Sequence, residues 1–155
     1  LGKIKSPVIA GFLLSKINRT SDLGHSLVIS NESQLPENNN EDQVAVLITV
    51  LGNLIENALE ALGQEPGGEI SVSLHYRHGW LHCEVNDDGP GIAPENIEHI
   101  LEKGGATKGT ERGVGLALVK QQVENVGGNI SVESEPGIFT QFFVQLPWNG
   151  ERASR

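Results

Sequence analysis

The stretch "EISVSLHYRHGWLHCEVN", residues 69–86, restricts the fold more than any other part of the chain. Ile70, Val72, Leu74 and Tyr76 alternate with polar residues, and after a short "RHG" break Leu81, Cys83 and Val85 do the same. Period-two alternation predicts strands with one apolar face, and the short break between them predicts an antiparallel hairpin. A hairpin apolar on one side needs a cover. Three helical patterns can supply it. The first is Ser6-Pro7 followed by Val8, Ile9, Phe12, Leu13 and Ile17, a capped helix ending near Arg19 with proline at its first position. The second starts at Asp42 and carries Leu47, Val50, Leu51, Leu54, Ile55, Ala58 and Leu62, stopped by "GQEPGG". The third carries Leu116, Val119, Val123 and Val126 and is stopped by Gly127-Gly128.

Further strands are expected at "HSLVIS" (His25 to Ser30), "NISVES" and "FTQFFVQLP", the last two joined at Pro136-Gly137. Pro94 predicts a short helix through about Glu102, "KGGATKGTERG" a mobile loop, and "WNGERASR" a frayed tail. Helices interleaved with antiparallel pairs predict a two-layer α/β sandwich, a mixed and mostly antiparallel sheet covered on one face by helices. With 155 residues, one compact domain is expected.

Composition removes several function classes. A formal charge of -9 argues against a nucleic-acid surface. The single cysteine, Cys83, excludes an internal disulfide and a Cys-rich zinc site, and reads as a small buried strand residue in a reducing setting. No run of about 18 apolar residues suggests a membrane span. A chain starting at Leu1 rather than Met is expected to be part of something longer.

Three stretches carry residues suited to chemistry. On the second helix Asn53, Glu56, Asn57 and Glu60 fall on one side, and two asparagines one turn apart are poor helix formers. They read either as a solvated face or as a site for a hard cation such as Mg²⁺. "DDGPG", Asp87 to Gly91, follows a strand and reads either as an ordinary turn or as a carboxylate placed to accept an adenine amine. In "ERGVGLALVK", Gly113 and Gly115 precede an apolar helix. A polar loop rather than a strand precedes this pair, and Leu118 stands where a dinucleotide fingerprint needs a small residue. No Lys-Ser/Thr follows at P-loop spacing. What remains is a helix N-terminus suited to an anion, with Lys108 and Arg112 near it.

Taken in order, "NLIENALEA", "VNDDGPGI", "GVGLALVKQQVENVGGNISVES" and "PGIFTQFFVQLP" resemble the catalytic, ATP-binding domain of sensor histidine kinases, of the superfamily shared with gyrase, the Hsp90 chaperones and MutL. The wording of these boxes is most similar to bacterial C4-dicarboxylate and citrate sensor kinases. The resemblance implies a Bergerat-type ATP-binding fold over residues 21–148, with 1–20 leading from an absent dimerisation and phosphoacceptor domain and 149–155 as tail. It implies ATP and Mg²⁺ as ligands. Asn57 would bind the metal, with Asn53 supporting it or the phosphates. Asp87 would read the adenine amine, and Gly89 and Gly91 would admit the base. Gly113, Gly115 and Leu116 would face the nucleotide, residues 104–112 would form a lid, and Thr140 would lie near the adenine.

Three departures from the family pattern stand out. Leu101 and Gly105 occupy places where the lid's aromatic residues are expected, Phe139 replaces the second glycine of the last box, and Glu60 replaces a frequent basic residue. Positive charge for the γ-phosphate would then come from Lys108 or Arg112.

The implied reaction transfers the γ-phosphoryl of ATP to a histidine on the dimerisation domain, and from there to a response regulator. His25, His75, His78, His82 and His99 all lack the acidic neighbour and helical stripe of a phosphoacceptor. The parent would be a homodimeric inner-membrane sensor, with this part monomeric by itself and cytoplasmic. Two other readings stay open: an ATP-hydrolysing clamp, in which Asn53 stands where a general-base glutamate is needed and Glu56 is the substitute, and a non-catalytic nucleotide-binding module.

Overall fold

The computed structural model describes residues 1–102 and 115–149. In chain order these form α1 (Pro7–Asp22), β1 (Ser26–Ile29), α2 (Glu41–Leu62), β2 (Glu69–Arg77), β3 (Trp80–Asp87), α3 (Pro94–Ile97), α4 (Gly115–Asn125), β4 (Asn129–Glu135) and β5 (Phe139–Pro147). The five strands make one sheet in the order β1-β2-β3-β5-β4. Only the β1–β2 pair is parallel; β2–β3, β3–β5 and β4–β5 are antiparallel. This is the mixed, mostly antiparallel α/β architecture expected.

Local chemistry explains the elements. Ser6 caps α1 by accepting from Ile9 N at 3.3 Å, and Pro7 occupies the first helical position, where a missing N–H costs nothing. Asn40 caps α2 by accepting from Gln43 N at 3.1 Å, and Glu41 and Asp42 face the positive end of the helix dipole. Gly63, at φ 71°, ends α2. The β2–β3 hairpin turns on His78 (φ 53°) and Gly79 (φ 87°), two consecutive left-handed residues of the kind that match strand twist.

The sheet is two-faced. Ile70, Val72 and Leu74 of β2, Leu81, Cys83 and Val85 of β3, and Phe142, Val144 and Leu146 of β5 are buried. On this face α1 packs against β1, α2 against β2, β3 and β5, and α4 against β4 and β5. Glu84 and Gln141 occupy the other, polar face, joined by a 3.3 Å bond. Length and composition would allow α2 to cross a bilayer, but its stripe from Val46 to Leu59 lies in the core. α1 shares that core, with Ile9 and Leu13 fully buried. The Cys83 thiol is buried, and desolvation, with the neighbouring Glu84 charge, pushes its pKa up to about 12. It is therefore a packing residue with little thiolate to react.

Two expectations need correction. The helix after Pro94 stops at Ile97 instead of running to Glu102. Ala93 gives no side-chain cap, and His99 N and Glu102 N bond three residues back, to Asn96 O and His99 O, which makes separate turns of the remainder. The C-terminal segment does not fray at Trp148. That side chain is fully buried, its Nε1 donates to Pro36 O at 3.0 Å, and its backbone N donates to Gly79 O at 2.8 Å. Asn149 N then donates to Gln43 Oε1 at 3.1 Å, so the strand exit is tied to the start of α2. A large aromatic with a satisfied indole N–H gains too much from burial to stay in solvent.

Candidate functional site

The site assembles at one side of α2. Asp87, the last residue of β3, is 5% exposed and lies opposite Ile70 on one neighbouring strand and Thr140 on the other. Its Oδ1 accepts from Gly89 N at 2.9 Å, which folds the "DDGPG" turn back onto the carboxylate. A Cβ on Gly89 would stand 2.9 Å from Asp87 Oδ1 and 3.5 Å from Ala61 O, so the turn rests on the last turn of α2. Gly91, at φ +79°, has no room for a side chain, because a Cβ would come within 2.6 Å of Glu135 O.

The β4–β5 turn completes this end. Pro90 O accepts from Gly137 N at 2.7 Å, and Ser134 Oγ accepts from Ile92 N at 2.7 Å. The same hydroxyl donates to Phe139 O at 2.8 Å and lies 3.2 Å from the fully buried Thr140 Oγ1. Ser134 was missed in the sequence, although its signal is there: it breaks the inward apolar series Ile130, Val132 with a hydroxyl. Phe139 fits where a glycine was expected. It sits in regular β5 opposite Glu135, and Gly137 alone, at φ +83°, supplies the left-handed turn residue.

One turn up α2 from Ala61 is Asn57, and one turn further is Asn53, an axial run of about 12 Å. Asn57 is 3% exposed. Asn53 donates from Nδ2 to Thr49 O at 2.8 Å, which leaves its Oδ1 toward α4. There a Cβ on Gly115 would overlap Asn53 Oδ1 and lie 2.8 Å from Cγ, so the first residue of α4 is in contact with that amide. Leu116, 1% exposed, anchors the start of α4 in the core. The structure thus brings together Asn53, Asn57, Asp87, Gly89, Gly91, Gly115, Leu116 and Thr140 along α2 and the strand ends beside it.

Glu56 points elsewhere. Arg19 of α1 forks onto it, Nε to Oε2 at 2.7 Å and Nη2 to Oε1 at 3.0 Å, while Lys16 Nζ stands 3.4 Å from Oε2. The Arg19 hydrogen bonds hold the Glu56 carboxyl below the usual carboxylate range, against partial burial, and the charges of Arg19 and Lys16 add to them. No sequence signal pairs residues 37 apart on two different helices. Glu60 is exposed, and Leu101 is partly buried against the core. Lys108, Arg112, Gly113, Gly105 and the lid 104–112 lie outside the described residues.

Among the described residues no three His, Cys, Asp or Glu side chains gather to hold a metal. The donor set at this site is instead amide oxygen on a helix. That fits Mg²⁺, which keeps several waters and takes few protein ligands, and it does not fit a transition metal. Where Gly115 meets Asn53 the absence of a Cβ lets the amide sit directly against the start of α4.

Residues 42–150 match the family described as histidine kinase-, DNA gyrase B-, and HSP90-like ATPase. The chain is 80% identical over 155 residues to the sensor histidine kinase DcuS of Escherichia coli (strain K12), covering 100% of this chain and 28% of that protein. It is 36% identical over 148 residues to a probable C4-dicarboxylate sensor kinase of Halalkalibacterium halodurans, covering 94% of this chain and again 28% of the relative. The chain therefore spans just over a quarter of the length of these curated relatives. The nucleotide-free catalytic domain of the histidine kinase ThkA superposes with a TM-score of 0.69 at 25% identity, covering 90% of this chain and 91% of that one. The family match and the sequence identity show that this chain belongs to the histidine kinase-, DNA gyrase B- and HSP90-like ATPase family.

Proposed function

We propose that this chain binds Mg·ATP between α2 and the ends of β3 and β5, and presents the γ-phosphoryl group to a histidine on a separate dimerisation domain. The observation that carries this reading is the alignment along α2 of Asp87 with Gly89 at one end and Asn53 with Gly115 at the other, with the buried Asn57 between them.

Each residue has a task that follows from its place. Asp87 is a buried carboxylate at the end of β3, and it takes the exocyclic amine of adenine. Gly89 and Gly91 keep the adjoining backbone free of side chains, and Thr140, opposite Asp87 on β5, sets the floor beside the base. Asn57 offers an amide oxygen to the metal, and Asn53, oriented by Thr49 O, faces the phosphates at the start of α4. When bound, Mg²⁺ neutralises charge developing on the phosphates. Phosphoryl transfer needs little more from a protein than such positioning.

The wider role follows from the 80% identity to DcuS. On this reading the chain is the cytoplasmic kinase part of a homodimeric membrane sensor for C4-dicarboxylates or citrate, and the phosphoryl group passes on to a response regulator. The test incubates the chain with labelled ATP and the histidine-bearing domain of such a sensor. Acid-labile label on that domain is the expected result; free phosphate without labelled acceptor would favour the clamp reading.

A further inference from the structure

The mechanism above gives Glu56 no task, yet it lies between the two site asparagines in sequence and both its carboxylate oxygens are held by Arg19. On a helix, residues three apart are surface neighbours, and side chains lean toward the N-terminal turn. An unrestrained Glu56 would therefore lie over Gly52 and Asn53, on the side where the phosphates are placed. It does not, because α1 runs alongside: the Phe12 ring lies against Gly52, and Lys16 and Arg19 reach the Glu56 carboxylate.

We propose that Lys16 and Arg19 are positioning residues that keep Glu56 from acting as a general base on water, so that bound ATP is retained for transfer to a protein acceptor. The inference rests on the reading of α2 as the nucleotide-binding helix. The step it suppresses is simple hydrolysis. Water oxygen bonds to the γ-phosphorus, the bond from that phosphorus to the bridging oxygen of ADP breaks, and Glu56 takes the water proton. A carboxylate whose two oxygens are both held by an arginine fork, with a lysine beside one of them, is turned toward α1 and away from Asn53, out of position for this. Released, it can turn back toward Asn53, three positions before it, whose amide cannot serve as a base.

The test measures phosphate release, ATP affinity and melting temperature for the 155-residue chain and for the double variant Lys16→Gln/Arg19→Gln. Release is expected to rise by about tenfold, a fraction of the roughly 10²–10⁴ that a well-placed general base contributes. ATP affinity should stay within about twofold, a change of roughly 0.4 kcal/mol. Adding Glu56→Gln should return release to the starting level, which mere loosening of α1 would not do. Unchanged release in a double variant that still binds ATP overturns the proposal, and so does a rise that survives Glu56→Gln. A wild-type chain that binds no ATP overturns the site reading as well, and titration of Asp87→Asn separates that failure from this one.

Discussion

Gly115 and Asn53 touch: a single added carbon on the glycine would overlap the asparagine's Oδ1. The start of α4 and the middle of α2 are thus set against each other by the absence of a side chain. Gly115→Ala should force Asn53 to rotate and to release its bond to Thr49 O. Because alanine is the better helix residue, the melting temperature should hardly move. ATP affinity should fall by about tenfold, or about 1.4 kcal/mol, measured by titration calorimetry. Unchanged affinity would remove Asn53 from the phosphate end.

Asp87→Asn isolates the adenine contact. The asparagine retains an Oδ1 for Gly89 N, so the turn should persist. What is lost is the charged acceptor, and a hydrogen bond to a charged group is worth about 1.5–3 kcal/mol. ATP should therefore bind roughly tenfold to a hundredfold more weakly. Equal titrations of wild type and variant would sink the assignment.

Trp148→Ala should cost about 3–5 kcal/mol, the range for truncating a fully buried large aromatic. Trp148→Phe should cost less, since it keeps most of the volume and forfeits the indole bond to Pro36 O. Urea midpoints of the three proteins give the order. A near-neutral Trp148→Ala would mean that the strand exit is not clamped to the loop before α2.

The Arg19–Glu56 pair has a definite pH signature. Arg19's hydrogen bonds hold the Glu56 pKa below its unfolded value, so the pair's contribution to stability is complete above the ordinary glutamate range and is lost as pH falls through the folded value. Arg19→Gln should accordingly melt slightly below wild type at pH 7, a small gap because exposed ion pairs are screened. The two should converge only once pH has fallen below that depressed folded value. A gap that persists in acid would show that Arg19 acts through its packing rather than its charge.

Much of the fold was legible residue by residue. The alternation in "EISVSLHY" and "WLHCEVN" predicted β2 and β3 because strand side chains point to opposite faces in turn. Ser6-Pro7 predicted the start of α1 because capping is a contact of three residues' range. The site was legible only as separate segments, each with a bland alternative, until their order carried a family resemblance. Trp148 was misread because its partners, Pro36 and Gly79, lie far back in the chain.

Local backbone sterics, side-chain period and capping chemistry act over a few residues, so the sequence by itself determined the helices, the strands, their buried faces and the glycine turns. Tertiary structure alone decided which of them meet. Pairing β3 with β5 sets Asp87 opposite Thr140, and packing α1 along α2 delivers Arg19 to Glu56. Such contacts depend on register and crossing geometry, which are fixed only when the whole apolar face is buried at once.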